Sequence, residues 1–269
     1  MAILQNPDNS KTYYVELGDR ASKTLLLLHG IGADHAMWQP QMQTYVDAGF
    51  HVLILDLFGH GQSSPLKTPQ LSNWHNQIIW LLTYLNLETC TVIGVSMGGV
   101  IAQAFVAEHP QHVTHLIVAD SFGELRTPTE KLLGLSQIIG FSLFKLLGKQ
   151  WLVKVMDHTY RAAYTQTARD YFCQVCLRSD LNQLILSRKA INRIDDLERL
   201  KNVTVPALVM VGANLGESFI RINQKIADAL PNATFVILEK SMDPSNLVNP
   251  IDFDTQVLKF LGLSHRKKL

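Results

Sequence analysis

The sequence predicts an α/β fold: a mostly parallel central sheet flanked by helices, with an inserted helical cap. Three observations carry this. Six short runs are apolar on both faces, as parallel strands covered by helices are. Helical patterns lie between those runs. One long stretch, 125–200, shows helical patterning alone.

The first run, Leu25–Leu28, ends at His29-Gly30. The helical pattern Trp38–Ala48 follows and closes at Gly49, a breaker. His51–Leu55 ends at Asp56. The pattern Trp74–Leu85 leads to Thr91–Val95, which ends at Ser96. Met97–Glu108, stopped by Pro110, leads to His115–Ala119, which ends at Asp120. After the helical stretch, Ala207–Val211 ends at Gly212. Phe219–Leu230 precedes Pro231, Thr234–Leu238 ends at Glu239, and Phe253–Leu261 closes the series. In such a sheet functional residues gather at the carboxyl ends of the strands. The chain therefore divides into a core, 1–124 with 201–269, and a cap at 125–200. The aliphatic and aromatic residues of the cap, from Leu132 to Trp151, predict an apolar pocket wall.

Composition narrows the function. The chain has 269 residues, 47 % hydrophobic and 17 % charged, which supports a sizeable core and excludes a disordered chain. A net charge of +1 argues against a general nucleic-acid binder. Three cysteines are too few for a disulfide scaffold and suit a reducing, cytoplasmic setting. Cys173 and Cys176 lack the further ligands a zinc site needs and read as packing residues. The N-terminus has no signal-peptide pattern. Leu132–Met156 is interrupted by Gly134, Gln137, Lys145, Lys149 and Lys154, so no membrane span is expected. The tail His265-Arg266-Lys267-Lys268 reads as a solvated end. No phosphate loop, dinucleotide fingerprint or metal-ligand cluster stands out, so no cofactor and no metal are expected.

The strongest chemical signal is Gly94-Val95-Ser96-Met97-Gly98-Gly99. It fits G-x-S-x-G and lies between a predicted strand and a predicted helix, the context a nucleophile elbow requires. The helix beginning at Met97 points free N–H groups toward the serine oxygen. The turn His29-Gly30-Ile31-Gly32 also follows a strand. It can present the Ile31 N–H beside that of Met97, forming an oxyanion hole. Asp56-Leu57-Phe58-Gly59-His60-Gly61-Gln62-Ser63 reads as a structural glycine-rich turn.

With Trp38 downstream of His29-Gly30, and Val205-Pro206 opening the strand after the helical stretch, these motifs resemble the capped α/β-hydrolases. That branch includes small esterases, C–C bond hydrolases, non-haem haloperoxidases and strigolactone- and karrikin-type receptors. The resemblance covers nearly the whole chain and implies a serine nucleophile at Ser96. It also implies an acid after the strand that follows the cap. Leu215 stands there; Glu217, two residues later, and Asp120, at the end of an earlier strand, are the alternatives. The resemblance further implies a histidine in H-x-x-x-x-E-x-P-x-x-F. Pro250 and Phe253 fix that register, and they place Asp243 where the histidine belongs. The remaining histidines are weaker candidates. His29 and His60 read as structural, His158 could hang into the pocket, and His265 lies in the tail.

Imidazole titrates near 6.5 and an ordinary Asp near 3.9, a gap of about 3.5 kcal/mol in proton affinity. An unperturbed Asp243 therefore implies weak turnover, and burial is the way to narrow the gap. The expected function is a carboxylesterase-like hydrolase acting on a small apolar ester or acyl substrate, with an incomplete triad. The alternative is a ligand-binding homologue that has lost its base. A cofactor-free lyase in the same pocket is a third reading. The oligomeric state is left open.

Overall fold

The computed structural model describes residues 1–263, so the basic tail at 265–268 lies outside the described residues. Its eight strands are β1 (Ala2–Gln5), β2 (Lys11–Leu17), β3 (Thr24–Leu28), β4 (His51–Leu55), β5 (Cys90–Val95), β6 (Val113–Ala119), β7 (Ala207–Gly212) and β8 (Ala233–Leu238). They form one sheet in the order β1-β2-β4-β3-β5-β6-β7-β8. The six expected runs are β3 to β8, and all of them pair in parallel. The chain runs from β3 outward to β4, then returns across β3 to β5. That reversal is a topological switch point, where the connections after β3 and β5 lead to helices on opposite faces of the sheet.

Two strands escape the sequence reading. β1 and β2 form an antiparallel hairpin, and β2 pairs antiparallel with β4. They carry Gln5, Lys11, Thr12 and Glu16, so they lack the continuous apolar signal of the buried strands. The Asn6–Ser10 turn, with Asn9 at φ 66, was the readable sign of that hairpin.

Alternation along each strand builds two cores. Leu26, Leu28, Leu53 and Val92 pack with α2 (Ser72–Tyr84), α3 (Met97–Glu108) and α9 (Glu217–Ala229) through Trp74, Ile101 and Ile226. Leu25, Leu27, Ile54 and Ile93 pack on the other face with α1 (Gln39–Asp47) and α11 (Pro250–Phe260) through Tyr45 and Phe253. A short α10 (Ser245–Val248) precedes α11.

Between β6 and β7 the chain is helical. The elements are α4 (Pro128–Leu147), α5 (Lys149–Thr159), α6 (Gln166–Arg178), α7 (Leu181–Ile191) and α8 (Leu197–Leu200). α4 starts with a reciprocal cap between Thr127 and Glu130, with Pro128 at its first position. Gly148, at φ 93, breaks α4 from α5. Ion pairing ties this layer to the core: Arg178 Nη2 meets Asp34 Oδ2 at 2.8 Å, and Tyr171 Oη donates to Asp34 Oδ1 at 2.9 Å. Cys173 and Cys176 lie on α6 as free thiols, with Cys176 buried.

One expectation needs correction. The pocket wall does not come from the whole Leu132–Trp151 stretch. α4 is apolar nearly all round. Phe141 and Phe144 turn inward, whereas Leu132, Leu135, Ile139 and Leu143 face solvent. Periodicity could not say which face turns inward, because large apolar residues lie on both and the inward one also carries Ser136 and Gln137.

Candidate active site

Ser96 sits between β5 and α3 in a conformation that only special neighbours permit. Its φ of 56 and ψ of −117 are unfavourable for a residue with a Cβ, at a cost of about 1–3 kcal/mol. A Cβ on Gly94 would lie 2.2 Å from the Gly98 carbonyl oxygen, and one on Gly98 would lie 2.1 Å from that of Leu28. Glycine at both positions is what lets strand and helix converge so tightly. The turn is pinned by Ser96 N donating to Ala119 O at 2.8 Å and Ser121 Oγ donating to Ser96 O at 2.9 Å. The Ser96 side chain makes no capping bond to α3. It donates instead to Asp243 Oδ2 at 2.9 Å.

The loop after β3 closes on the same point. A Cβ on Gly30 would stand 3.4 Å from Ser96 Cβ. The next residue is Ile31, and Met97 opens α3. Among the described residues neither backbone N–H donates to a protein acceptor. The Met97 N–H lies at the N-terminus of α3, an end that favours negative charge.

Asp243 lies in the loop after β8, half-buried at the cavity wall. Its backbone carbonyl accepts from Tyr160 Oη at 2.9 Å, a bond from the helical layer to the core. Asp120, buried at the end of β6, holds the same region. Its Oδ1 accepts from Gly212 N at 2.9 Å and its Oδ2 from Ser245 N at 2.7 Å. Burial raises the Asp120 carboxyl, against the hydrogen bonds from Ser245 and Gly212. Burial also lifts Asp243 to about 8, with help from the Asp120 charge; the Ser96 hydrogen bond and Arg188 pull the other way. Burial and the neighbouring Asp120 charge thus act to make Asp243 more basic than an ordinary aspartate.

Arg188 and Tyr160 were missed in the sequence. Arg188, on α7, is only 4 % exposed and lies 5.0 Å over the Phe122 ring. Its Nε and Nη2 have no protein partner among the described residues. Burial lowers it to about 10, so it stays a cation at neutral pH, and its charge is felt by Asp243. Nothing in Leu186-Ser187-Arg188-Lys189 marks one basic residue as buried and the next as exposed. Tyr160→Phe is expected to remove one hydrogen bond and about 1 kcal/mol of stability. Calorimetry should read that as a Tm lower by about 2–4 °C.

Other candidates are placed elsewhere. The Glu217 side chain is 89 % exposed and pairs with Arg221, so it is not the acid. Leu215, two residues before it, is half-buried. His158 is exposed against Arg161 rather than in the pocket. His29 is structural, as expected: Nδ1 meets Gly30 O at 2.8 Å and Nε2 accepts from Leu57 N at 3.0 Å. His60 packs edge-on against it. His265 lies outside the described residues. One His/carboxylate cluster, His75, Glu108 and His109, brings ligand atoms within 4.8 Å of one another at the far end of α3 from Ser96. The sequence reading found no such cluster, because His75 lies on a different helix.

Above Ser96 and Asp243 is a cavity of about 330 Å³. Met37, Phe141, Phe144, Leu152, Phe172 and Leu184 supply much of its wall, and Ser96 and Asp243 its polar end. It accommodates a small, mostly apolar molecule.

Comparison with known proteins agrees with this fold. A family model described as "alpha/beta hydrolase fold" matches residues 23–174. The chain is similar to the (E)-2-((N-methylformamido)methylene)succinate hydrolase of Acinetobacter baylyi, at 24 % identity over 92 % of each chain. It is similar to 3-oxoadipate enol-lactonase 2 of the same organism, at 22 % identity over 91 % of this chain and 90 % of that protein. Among solved structures, the enol-lactonase from Burkholderia xenovorans superposes with a TM-score of 0.85 and 21 % identity, covering 97 % of this chain and 100 % of that one. At such identity that superposition speaks for the fold.

Proposed function

Because the chain belongs to the alpha/beta hydrolase fold family and is a hydrolase, we propose that Ser96 is its nucleophile, that Asp243 is the base, and that it cleaves a small apolar ester or related acyl substrate. The observation that carries this reading is the 2.9 Å hydrogen bond from Ser96 Oγ to Asp243 Oδ2 beneath an apolar cavity.

The steps balance without a cofactor. Ser96 Oγ attacks the carbonyl carbon as its proton passes to Asp243. The tetrahedral oxygen takes the negative charge between the Ile31 and Met97 N–H groups. Collapse expels the alcohol, which takes the proton back from Asp243. A water molecule then attacks the acyl-serine as its proton passes to Asp243; collapse breaks the bond to Ser96 Oγ, which takes that proton back, and the acid product leaves. Asp120 holds the loop and keeps Asp243 basic through its charge. Arg188 keeps the ionised form of Asp243 within reach.

A serine-directed fluorophosphonate followed by peptide mapping tests the nucleophile. Labelling is expected at Ser96 and absent in Ser96→Ala. Labelling elsewhere, or none, removes Ser96 from this role and leaves the cavity as a ligand-binding pocket.

The base has its own signature. With Asp243 at about 8, roughly one-tenth is ionised at pH 7 and most is ionised at pH 9. The ionised form is the base, so kcat/KM should rise about tenfold from pH 7 to pH 9. Titration of released acid on a neutral ester measures this; a flat profile would exclude Asp243 as the base.

A further inference from the structure

The outer face of the helical layer is unlike the rest of the surface. Among the described residues, sixteen large hydrophobic residues are exposed, and eight of them lie between Leu132 and Val155. Leu132, Leu135, Ile139, Leu143 and Leu146 recur at helical spacing along α4, with Trp151 continuing the row on α5. Leu146 is 82 % exposed and Trp151 50 %. The cavity above Ser96 uses none of these six; α4 contributes Ser136, Gln137, Gly140, Phe141 and Phe144 to its wall.

The charge along this exposed segment is one-sided. The chain as a whole is balanced, with 24 basic and 23 acidic residues. From Lys131 to Met156 there are four lysines, Lys131, Lys145, Lys149 and Lys154, and no Asp or Glu. Lys131, Lys145 and Lys154 are exposed, and Lys149 donates to Leu177 O at 3.1 Å. The acids that bound the segment are occupied. Glu130 is buried against Lys225 at 2.7 Å, and Asp157 pairs with Arg169 at 2.7 Å. Lys154 Nζ stands 4.8 Å over the Trp151 ring.

We propose that this face of α4 and α5 rests on an anionic lipid surface. An apolar stripe of leucines with an aromatic residue and flanking lysines is the composition of a helix lying in a membrane interface. No helix of the described residues is long and apolar enough to cross a membrane, so the layer lies on the surface rather than through it. A second copy of the chain fits less well. A two-fold contact sets each patch against itself, and these lysines would then face lysines with no acid to meet them. Anionic headgroups supply the missing charge, and acyl chains cover the leucines. The cavity is then separated from the lipid by the thickness of α4. This docking does not depend on the chemistry assigned to Ser96.

Flotation with vesicles of phosphatidylglycerol and phosphatidylcholine, against vesicles of phosphatidylcholine alone, tests it. Binding is expected to the anionic vesicles and to weaken with salt. Lys131→Gln/Lys145→Gln/Lys154→Gln should weaken it on the order of a hundredfold, at about fivefold per lysine. Leu143→Glu/Leu146→Glu should abolish it. The Trp151 emission should shift to the blue on binding, a shift absent in Trp151→Phe. All these positions are exposed, and circular dichroism checks that the variants fold. The proposal is overturned by equal binding to both vesicle types, by no binding, or by binding that neither set of substitutions weakens. A dimer in light scattering that Leu143→Glu/Leu146→Glu dissociates would overturn it in favour of a second copy.

Discussion

Asp243→Asn is expected to lower ester turnover by a hundredfold to ten-thousandfold, the usual worth of a positioned general base. The amide keeps the shape and much of the burial but cannot take the Ser96 proton. KM should change little, because the apolar wall binds the substrate and Asp243 only borders it. Stability should move the opposite way. The Asp243 carboxyl is raised in the folded chain to about 8 from an unfolded value near 3.9. Its contribution is therefore fully present in acid and is lost as pH rises through that window. Asparagine does not titrate, so the variant should gain stability over the parent progressively from about pH 4 to pH 8. Loss of turnover together with a higher Tm at pH 8 cannot be put down to unfolding. Unchanged turnover would place the base elsewhere.

Asp243→His separates identity of the base from strength of the base. Imidazole near 6.5 is more than half deprotonated at neutral pH, where a carboxyl at about 8 is mostly protonated. The gain should be greatest in acid, on the order of twentyfold at pH 6, and vanish by pH 9. The rising limb should move down by more than a unit. Asp120 lies at hand to orient the new ring, although Gly212 N and Ser245 N already occupy both its oxygens.

The fold was legible because its signals were local. Each of β3 to β8 is a short apolar run with a breaker or polar residue at its carboxyl end, and the helices between them carry the 3.6-residue period. Ser96 and its glycines were legible because close approach of backbones leaves no other choice of residue. The register of Pro250 and Phe253 points to Asp243, and in the fold its Oδ2 accepts from Ser96 Oγ at 2.9 Å. What the sequence could not give was environment. Whether a carboxylate sits at about 8 depends on burial, on Asp120 from another strand and on Arg188 from another helix. Glu217 and Asp120 read as comparable acids, and only the turn of the chain puts one in solvent and the other against two backbone amides. Both faces of α4 carry large apolar residues in sequence, yet Phe141 and Phe144 line a cavity and the leucine row is bare.

Gly98→Ala is expected to cost about 3 kcal/mol or more of stability and to leave little activity in what remains folded. The added methyl would lie 2.1 Å from Leu28 O, 2.6 Å from Leu28 C and 2.9 Å from His29 O. All three are backbone atoms of β3 and its following turn, so no side-chain rotation relieves the overlap. Either α3 moves off the sheet by more than an ångström or β3 gives way in the centre of the core. The first displaces Ser96 and Met97 from Ile31, which lies directly after His29 and Gly30. The second opens the contact between β3 and β5. Denaturant unfolding measures the loss, and turnover per folded molecule measures the displacement. Gly140→Ala is the control of opposite sign. Its methyl would meet only Phe144 Cε2, at 3.9 Å, an ordinary contact within α4. Replacing a helical glycine there should stabilise by about 1 kcal/mol. If Gly98→Ala folded as well as Gly140→Ala, the close approach of β3 and α3 would not be what holds Ser96 in its strained turn.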